Sequence, residues 1–174
     1  MSQVSDPAVM AAAQAELAKL HQVVELLAGK LSARHAGRLQ CKRGCSACCV
    51  DGLTVFDVEA ERIRGAHPEL LASGDAGPTG ACAFLDQSGA CRVYEVRPYV
   101  CRTQGLPLRW VELVEGAAVE VRDICELNLE GEPLEGLEAA ECWTIGAVEG
   151  RLAELQRRVS GDGRRTPLRG LFER

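Results

Sequence analysis

A chain of 174 residues, 47% of them apolar, is long enough to bury a core without covalent staples, and a net charge of −5 supplies no field to attract a polyanion. Nucleic acid is therefore not an expected partner. Nine cysteines against only 4% aromatic residues are what the composition leaves to be explained.

The N-terminal run MSQVSDPAVMAAAQAELAKL has no basic region followed by an apolar one, and Gln14, Glu16 and Lys19 interrupt its apolar residues. With no segment near the ~20 apolar residues of a bilayer-spanning helix, the expectation is a cytoplasmic protein without a membrane partner. In that compartment thiols stay reduced, and an odd number of cysteines points to metal ligands rather than a disulfide framework.

Asp6 and Pro7 read as an N-cap and first helical position, and no breaker follows until Gly29, which predicts a helix over 7–36. Leu17, Leu20, Val24, Leu27 and Leu31 form its apolar stripe, and His21 and His35, with no cysteine four residues away, read as surface histidines. The segment CKRGCSACCVDG, 41–52, reads as a loop organised by its cysteines. Thr54 as N-cap and Asp57 at the third position then open a helix, VFDVEAERIRGA, that stops before Pro68. A helical turn, PELLAS, follows.

Two short β-type runs, CAFL and CRVY, meet at Ser88-Gly89 and predict a small hairpin with a cysteine on each arm. LPLRWVELVEGAAVEVRDIC alternates about Glu115-Gly116 and predicts a second hairpin ending near Cys125. A last helix is expected over 138–159, with Ile145, Val148, Leu152 and Leu155 on one face and Cys142 inside it as a small buried hydrophobe. The closing stretch RRTPLRGLFER reads as a solvated basic tail. The fold class is thus α+β in a single domain, 1–174: a cysteine-rich metal-binding centre (39–134) with short β-hairpins, flanked by long N- and C-terminal helices, with the tail over 160–174.

Cys41, Cys45, Cys48 and Cys49 form CxxxCxxCC, and several thiolates within nine residues repel one another unless a cation neutralises them. The adjacent Cys48 and Cys49 point in different directions along the backbone, which suggests two sites or one polynuclear site. Cys82, Cys91, Cys101 and Cys125 raise the count to eight, twice the four thiolates that saturate a structural zinc or an iron-sulfur cluster. The CxxxCxxC spacing also occurs in radical S-adenosylmethionine enzymes, but this chain has neither the length nor the strand-helix alternation of their barrel. No Ser/His/Asp array, phosphate loop, HExxH or GxGxxG points to another catalytic class, so no catalytic residue is assigned.

Together, the cysteine run, LTxxD at Leu53, Thr54 and Asp57, CAFLD at 82–86, CRVYEVRPYVCR at 91–102, and Cys125 followed by Gly131-Glu132 resemble the YkgJ-like CxxCxxCC cysteine-cluster family. That family is described as zinc- or iron-chelating or as containing an iron-sulfur cluster. The resemblance covers roughly Leu39 to Leu134 and implies metal binding through the eight cysteines, without an established reaction. One extra residue between Cys41 and Cys45 departs from the family pattern and leaves Cys41 the least secure ligand of its group.

Around the thiols, Arg97 and Arg102 are candidates to donate hydrogen bonds to sulfur, or else to bind an anionic substrate or pair with structural carboxylates. Asp57 is a helix-capping residue first and an oxygen ligand to iron second, and Tyr94 and Tyr99 read as packed aromatics. The expected cofactor is an iron-sulfur cluster or iron, with a redox or iron-dependent role. The alternative is zinc in two four-cysteine sites that stiffen a protein-interaction scaffold or serve zinc handling. Any protein or small-molecule partner is left unnamed, and the amphipathic terminal helices make a homodimer unsurprising.

Overall fold

The structure, a computed structural model, describes residues 6–42 and 44–173; Arg43 of the cysteine loop and Arg174 of the tail lie outside the described residues. In chain order the elements are α1 (Pro7–Arg34), β1 (Thr54–Phe56), α2 (Asp57–Ala66), α3 (Pro68–Ala72), α4 (Tyr99–Arg102), β2 (Leu108–Val114), β3 (Ala117–Asp123), β4 (Trp143–Thr144), α5 (Ala147–Ser160) and β5 (Arg165–Pro167). The α+β class expected from the sequence holds. None of the described helices is long and apolar enough to cross a membrane.

Asp6 accepts the Ala8 amide at 2.8 Å and Pro7 takes the first helical position, so α1 begins where its sequence signals place it. Its buried line is Ala13, Leu17, His21, Val24 and Ala28, at steps of four and three residues. Leu20 and Leu31 only flank that line, and Leu27 is 44% exposed, because alanines at 13 and 28 turn the close-packed face slightly away from the leucine stripe. Both histidines expected at the surface are buried. His21 sits in the line itself, its Nε2 3.2 Å from Glu59 Oε1, and His35 Nε2 donates to the Glu141 carbonyl at 2.7 Å. His21 lies on the buried face of α1 and His35 at its C-cap, and in each one polar partner satisfies a ring nitrogen.

Burial, opposed by the Glu59 contact, holds the His21 imidazole below its usual pKa of 6.5, with Arg102 and Arg62 adding to the depression. The unfolded chain then takes up the proton first as pH falls, so this contribution to stability is complete above 6.5 and is lost below it. Urea midpoints at pH 7.5 and 5.5 should show a decline that is smaller in His21→Gln than in the wild-type protein.

The helix expected to open at Thr54 opens at Asp57 instead. Thr54–Phe56 is a strand, pairing antiparallel with β5 so that Val55 lies opposite Thr166. With Phe56 at the N-cap and no side-chain cap of its own, α2 receives one from α5: the fully buried Gln156 accepts the Val58 amide at 2.9 Å. A tertiary partner thus replaces the local capping box.

The CAFL/CRVY hairpin shrinks to a single bridge, Leu85 to Cys91, closed by Asp86, whose carboxylate takes the Ser88 and Ala90 amides and the Ser88 hydroxyl. Its first arm is committed elsewhere. The Cys82 amide bonds the Cys49 carbonyl and Ala81 bridges Val50, while 94–96 tightens into a 3₁₀ turn. The second hairpin forms as expected: β2 and β3 pair from Leu108–Asp123 to Val114–Ala117, and Glu115 (φ 52°) and Gly116 (φ 84°) supply the two left-handed residues that match the strand twist. β4 adds to β2 in parallel, Leu108 opposite Trp143.

The last helix begins at Ala147 rather than 138, because a 3₁₀ turn at 139–141 and β4 occupy the first part of the expected span. Cys142 therefore precedes the helix, although it is buried as expected. Leu152 and Leu155 of α5 join the α1 line, Phe56, Val58, Tyr99, Leu106 and Trp143 in one apolar cluster. A second cluster gathers Val55, Ala60, Ile63, Cys82, Ala83, Phe84, Val93, Leu168, Leu171 and Phe172, so α2 has a core on each side.

The C-terminal stretch is not a solvated tail. Leu168 is 4% exposed, the Phe172 ring lies 5.1 Å from that of Phe84, and Arg169 bonds Asp51 at 2.9 Å and the carbonyls of Gly77, Pro78 and Ala81. The apolar residues between the arginines, at 168, 171 and 172, supply the reason. Leu168→Ala should cost about 2–3 kcal/mol in urea unfolding, the low end for leucine because the cluster edge can relax.

Candidate metal centre

The cysteines divide between two neighbourhoods. Cys48 and Cys49 lie at the end of the 44–49 loop, whose turns are set by the Cys45 amide on the Lys42 carbonyl and the Cys49 amide on the Ser46 carbonyl, both at 2.9 Å. Gly89 packs against the Gly44 carbonyl and Ser46, so the loop leans on the turn between Leu85 and Cys91. The backbone bond from the Cys82 amide to the Cys49 carbonyl, 2.9 Å, ties the next cysteine beside it. Cys91 is fixed by its bridge to Leu85, and Cys101 by α4, where its amide bonds the Pro98 carbonyl at 3.0 Å.

These five thiols influence one another electrostatically. The Cys49 thiol donates to Cys48, holding Cys48 down to about 6, while that bond, burial and the charges of Cys48, Cys82 and Cys101 push Cys49 up. Burial, with Cys82, Cys91, Glu59 and Cys48 behind it, pushes Cys101 up to about 12. Cys91 is raised by burial and by Cys82, against the pull of Arg97 and Arg92. The like-charge repulsion among these thiols penalises a second thiolate, which a bound cation would offset.

The other three cysteines surround the turn 126–128. Cys125 opens it and its carbonyl accepts the Asn128 amide at 2.7 Å. Cys45 lines an open hollow with Gln40, Lys42 and Leu127, and the Cys41 sulfur accepts a hydrogen bond from Asn128 Nδ2 at 3.3 Å. Cys142 stands apart: Arg122, Arg109, Glu120 and Glu141 are the charges it meets, and no other cysteine is among them.

The thiols, soft donors of which Cys41 is exposed, Cys82 buried and the other six candidates half-buried, fit a thiophilic metal by their chemistry. Among the described residues, no three or more His, Cys, Asp or Glu side chains are grouped closely enough to hold one metal ion. The structure thus gathers donors into a neighbourhood rather than into a closed shell.

The candidates around the thiols are bound elsewhere. Arg97 and Arg102 both reach Glu25 Oε1 at 2.6 Å, the carboxylate pairing that is one of the three readings their position allows. Arg97 also lies over the Tyr94 ring at 4.0 Å and acts on Cys91 through its charge alone. Asp57 faces β5, accepting from the Thr166 hydroxyl with Arg164 3.7 Å away. Tyr99 is buried with its hydroxyl accepting from Trp143 Nε1 at 2.8 Å, whereas Tyr94 is 58% exposed.

Two residues beside the site had gone unassigned in the sequence. Glu59, 4% exposed, bonds both His21 and the Tyr99 amide, at 2.7 Å for the latter, and so joins α2 to α1 and α4. Its signal was its place beside Val58 and Ala60 on a helix with a core on each side. Asn128, fully buried in a polar-looking run, offered none.

The model of the CxxCxxCC family, described as "Putative zinc- or iron-chelating domain", matches residues 40–126, half of the chain. No curated protein and no solved structure matches.

Proposed function

We propose, for a chain that belongs to the CxxCxxCC family of zinc- or iron-chelating domains, that its thiols hold an iron-sulfur cluster or iron in a redox or iron-dependent role. What supports this reading is the family match over 40–126 and the packing of Cys49, Cys82 and Cys91 in one cluster, within a chain whose eight candidate thiols exceed the four that close one structural zinc site. A surplus thiol suits a polynuclear group. Cys41, Cys45 and Cys125, around the 126–128 turn, complete the set of eight.

Such a group supplies one-electron chemistry, tuned by the hydrogen bonds and burial around its sulfurs. In this chain Cys82, 8% exposed, would present its sulfur from an apolar core, and Arg92 and Arg97 would offset negative charge at Cys91. Glu59 and the Glu25 pair with Arg97 and Arg102 brace α4, which carries Cys101.

Visible absorption with acid-labile sulfide, on protein purified without oxygen, tests the reading. A brown protein with iron and sulfide near stoichiometry supports it; colourless protein containing only zinc overturns it in favour of a zinc scaffold, because zinc's filled d shell absorbs no visible light.

A further inference from the structure

Cys41 is the cysteine whose spacing departs from the family pattern; the residue is exposed, yet its sulfur is held between Asn128 and Gly105. Asn128 is fully buried, and all three of its side-chain hydrogen bonds converge there. Its Oδ1 accepts the Gln40 amide at 2.7 Å, and its Nδ2 donates to the Gly105 carbonyl at 2.8 Å and to Cys41 Sγ at 3.3 Å. A side-chain amide has two N–H groups, and here one goes to a carbonyl and the other to sulfur.

Gly105 closes the opposite side. Its φ of +87° is a glycine conformation, and a Cβ built on it would lie 2.5 Å from Cys41 Sγ and 3.4 Å from Asn128 Nδ2. Only a residue without a side chain lets the sulfur occupy this position. Arg38, 8% exposed, holds the same two segments together from behind, its Nε on the Asn128 carbonyl at 3.2 Å and its Nη2 on the Glu132 carbonyl at 2.9 Å. A buried arginine spent on main-chain carbonyls fixes the 128–132 segment against the end of α1.

We infer that Asn128 and Gly105 are positioning residues that seat the Cys41 sulfur for metal, Asn128 by an N–H···S bond and Gly105 by leaving the room. The inference rests on the metal-binding reading above and extends it to two residues, one of them beyond the 40–126 match. Hydrogen bonds to a ligand sulfur orient it and stabilise its charge, and loss of such partners typically costs about 10- to 100-fold in metal affinity.

Asn128→Asp tests this with little change in shape: Oδ1 still accepts the Gln40 amide, but the Nδ2 donor to the Cys41 sulfur and to the Gly105 carbonyl is lost. Gly105→Ala intrudes on the sulfur from the other side and provides a second variant with Asn128 intact. The readout is iodoacetamide labelling of each cysteine, followed by mass spectrometry on full-length protein with and without its metal, alongside metal content. In the wild-type protein, metal should protect Cys41. Either variant should label at Cys41 about tenfold faster while Cys82 and Cys101 stay protected, a selective change that general loosening of the fold would not give. Equal protection of Cys41 in wild type and variants overturns the inference, as does a metal-loaded wild-type protein whose Cys41 is unprotected; both leave the metal reading intact. A wild-type protein that takes up no metal defeats the metal reading itself, and the inference with it.

Discussion

Cys82→Ala is expected to release the metal, while Cys142→Ala leaves it in place. Both cysteines are buried, 8% and 6% exposed, so the truncations remove similar packing. What differs is the company of the two sulfurs. Cys82 acts on Cys49, Cys91 and Cys101, which makes it the common neighbour of the thiol cluster, and its backbone amide ties it to Cys49. Cys142 meets two arginines and two glutamates. Removing a ligand should exceed the about 10- to 100-fold cost of removing a partner outside the ligand shell, so metal affinity falls by more than about 100-fold in Cys82→Ala. Competition with a chromophoric chelator measures it. Equal affinities in the two variants would place Cys82 outside the site.

The second large effect is on stability. Glu59→Ala should cost about 2–6 kcal/mol, because it orphans two buried donors at once, His21 Nε2 and the Tyr99 amide. The Tyr99 amide loses its 2.7 Å partner at the start of α4, two residues before Cys101. The control is Glu61→Ala, two positions along α2, whose carboxylate meets Arg64 at 2.5 Å with both side chains about 40% exposed. A surface pair of that kind is worth about 0–1 kcal/mol. Urea unfolding of both variants decides; similar midpoints would mean that Glu59 braces nothing.

Sequence patterns revealed the parts of the fold that depend on neighbours a few residues away. The α1 start, the β2–β3 hairpin with its Glu115-Gly116 turn, and the burial of Leu152 and Leu155 follow from capping, turn chemistry and period. Where a tertiary partner supplied what a local motif would have supplied, the sequence misled. Gln156, 98 residues away, caps α2 in place of Thr54, and Thr54 is then free to pair with β5. His21 occupies a position that the 3.6-residue period makes internal, and its polarity hid this because Glu59 is distant in the chain. The arginines of the C-terminal run concealed Leu168, Leu171 and Phe172 between them.

For the candidate site, the cysteine spacing proposes donors and leaves their division open. Cys49, Cys82 and Cys91 pack in one cluster because the Cys49–Cys82 backbone bond and the Leu85–Cys91 bridge each fix one segment, α4 separately fixes Cys101, and none of these contacts leaves a pattern in the chain. Arg97 and Arg102 were legible as functional candidates by position, yet Glu25, more than seventy residues upstream, claims both. Asn128 and Gly105 belong to no motif, and only the approach of 105 and 128 to Cys41 reveals them.

Elemental analysis of the purified wild-type protein, read together with its count of freely reactive thiols, tests the central claim most directly. The account predicts at least one equivalent of iron or zinc per chain, with the Cys48, Cys49, Cys82, Cys91 and Cys101 thiols unreactive until a chelator removes it. Metal-free protein whose thiols react alike before and after chelator treatment, even when prepared without oxygen and offered both metals, would contradict it.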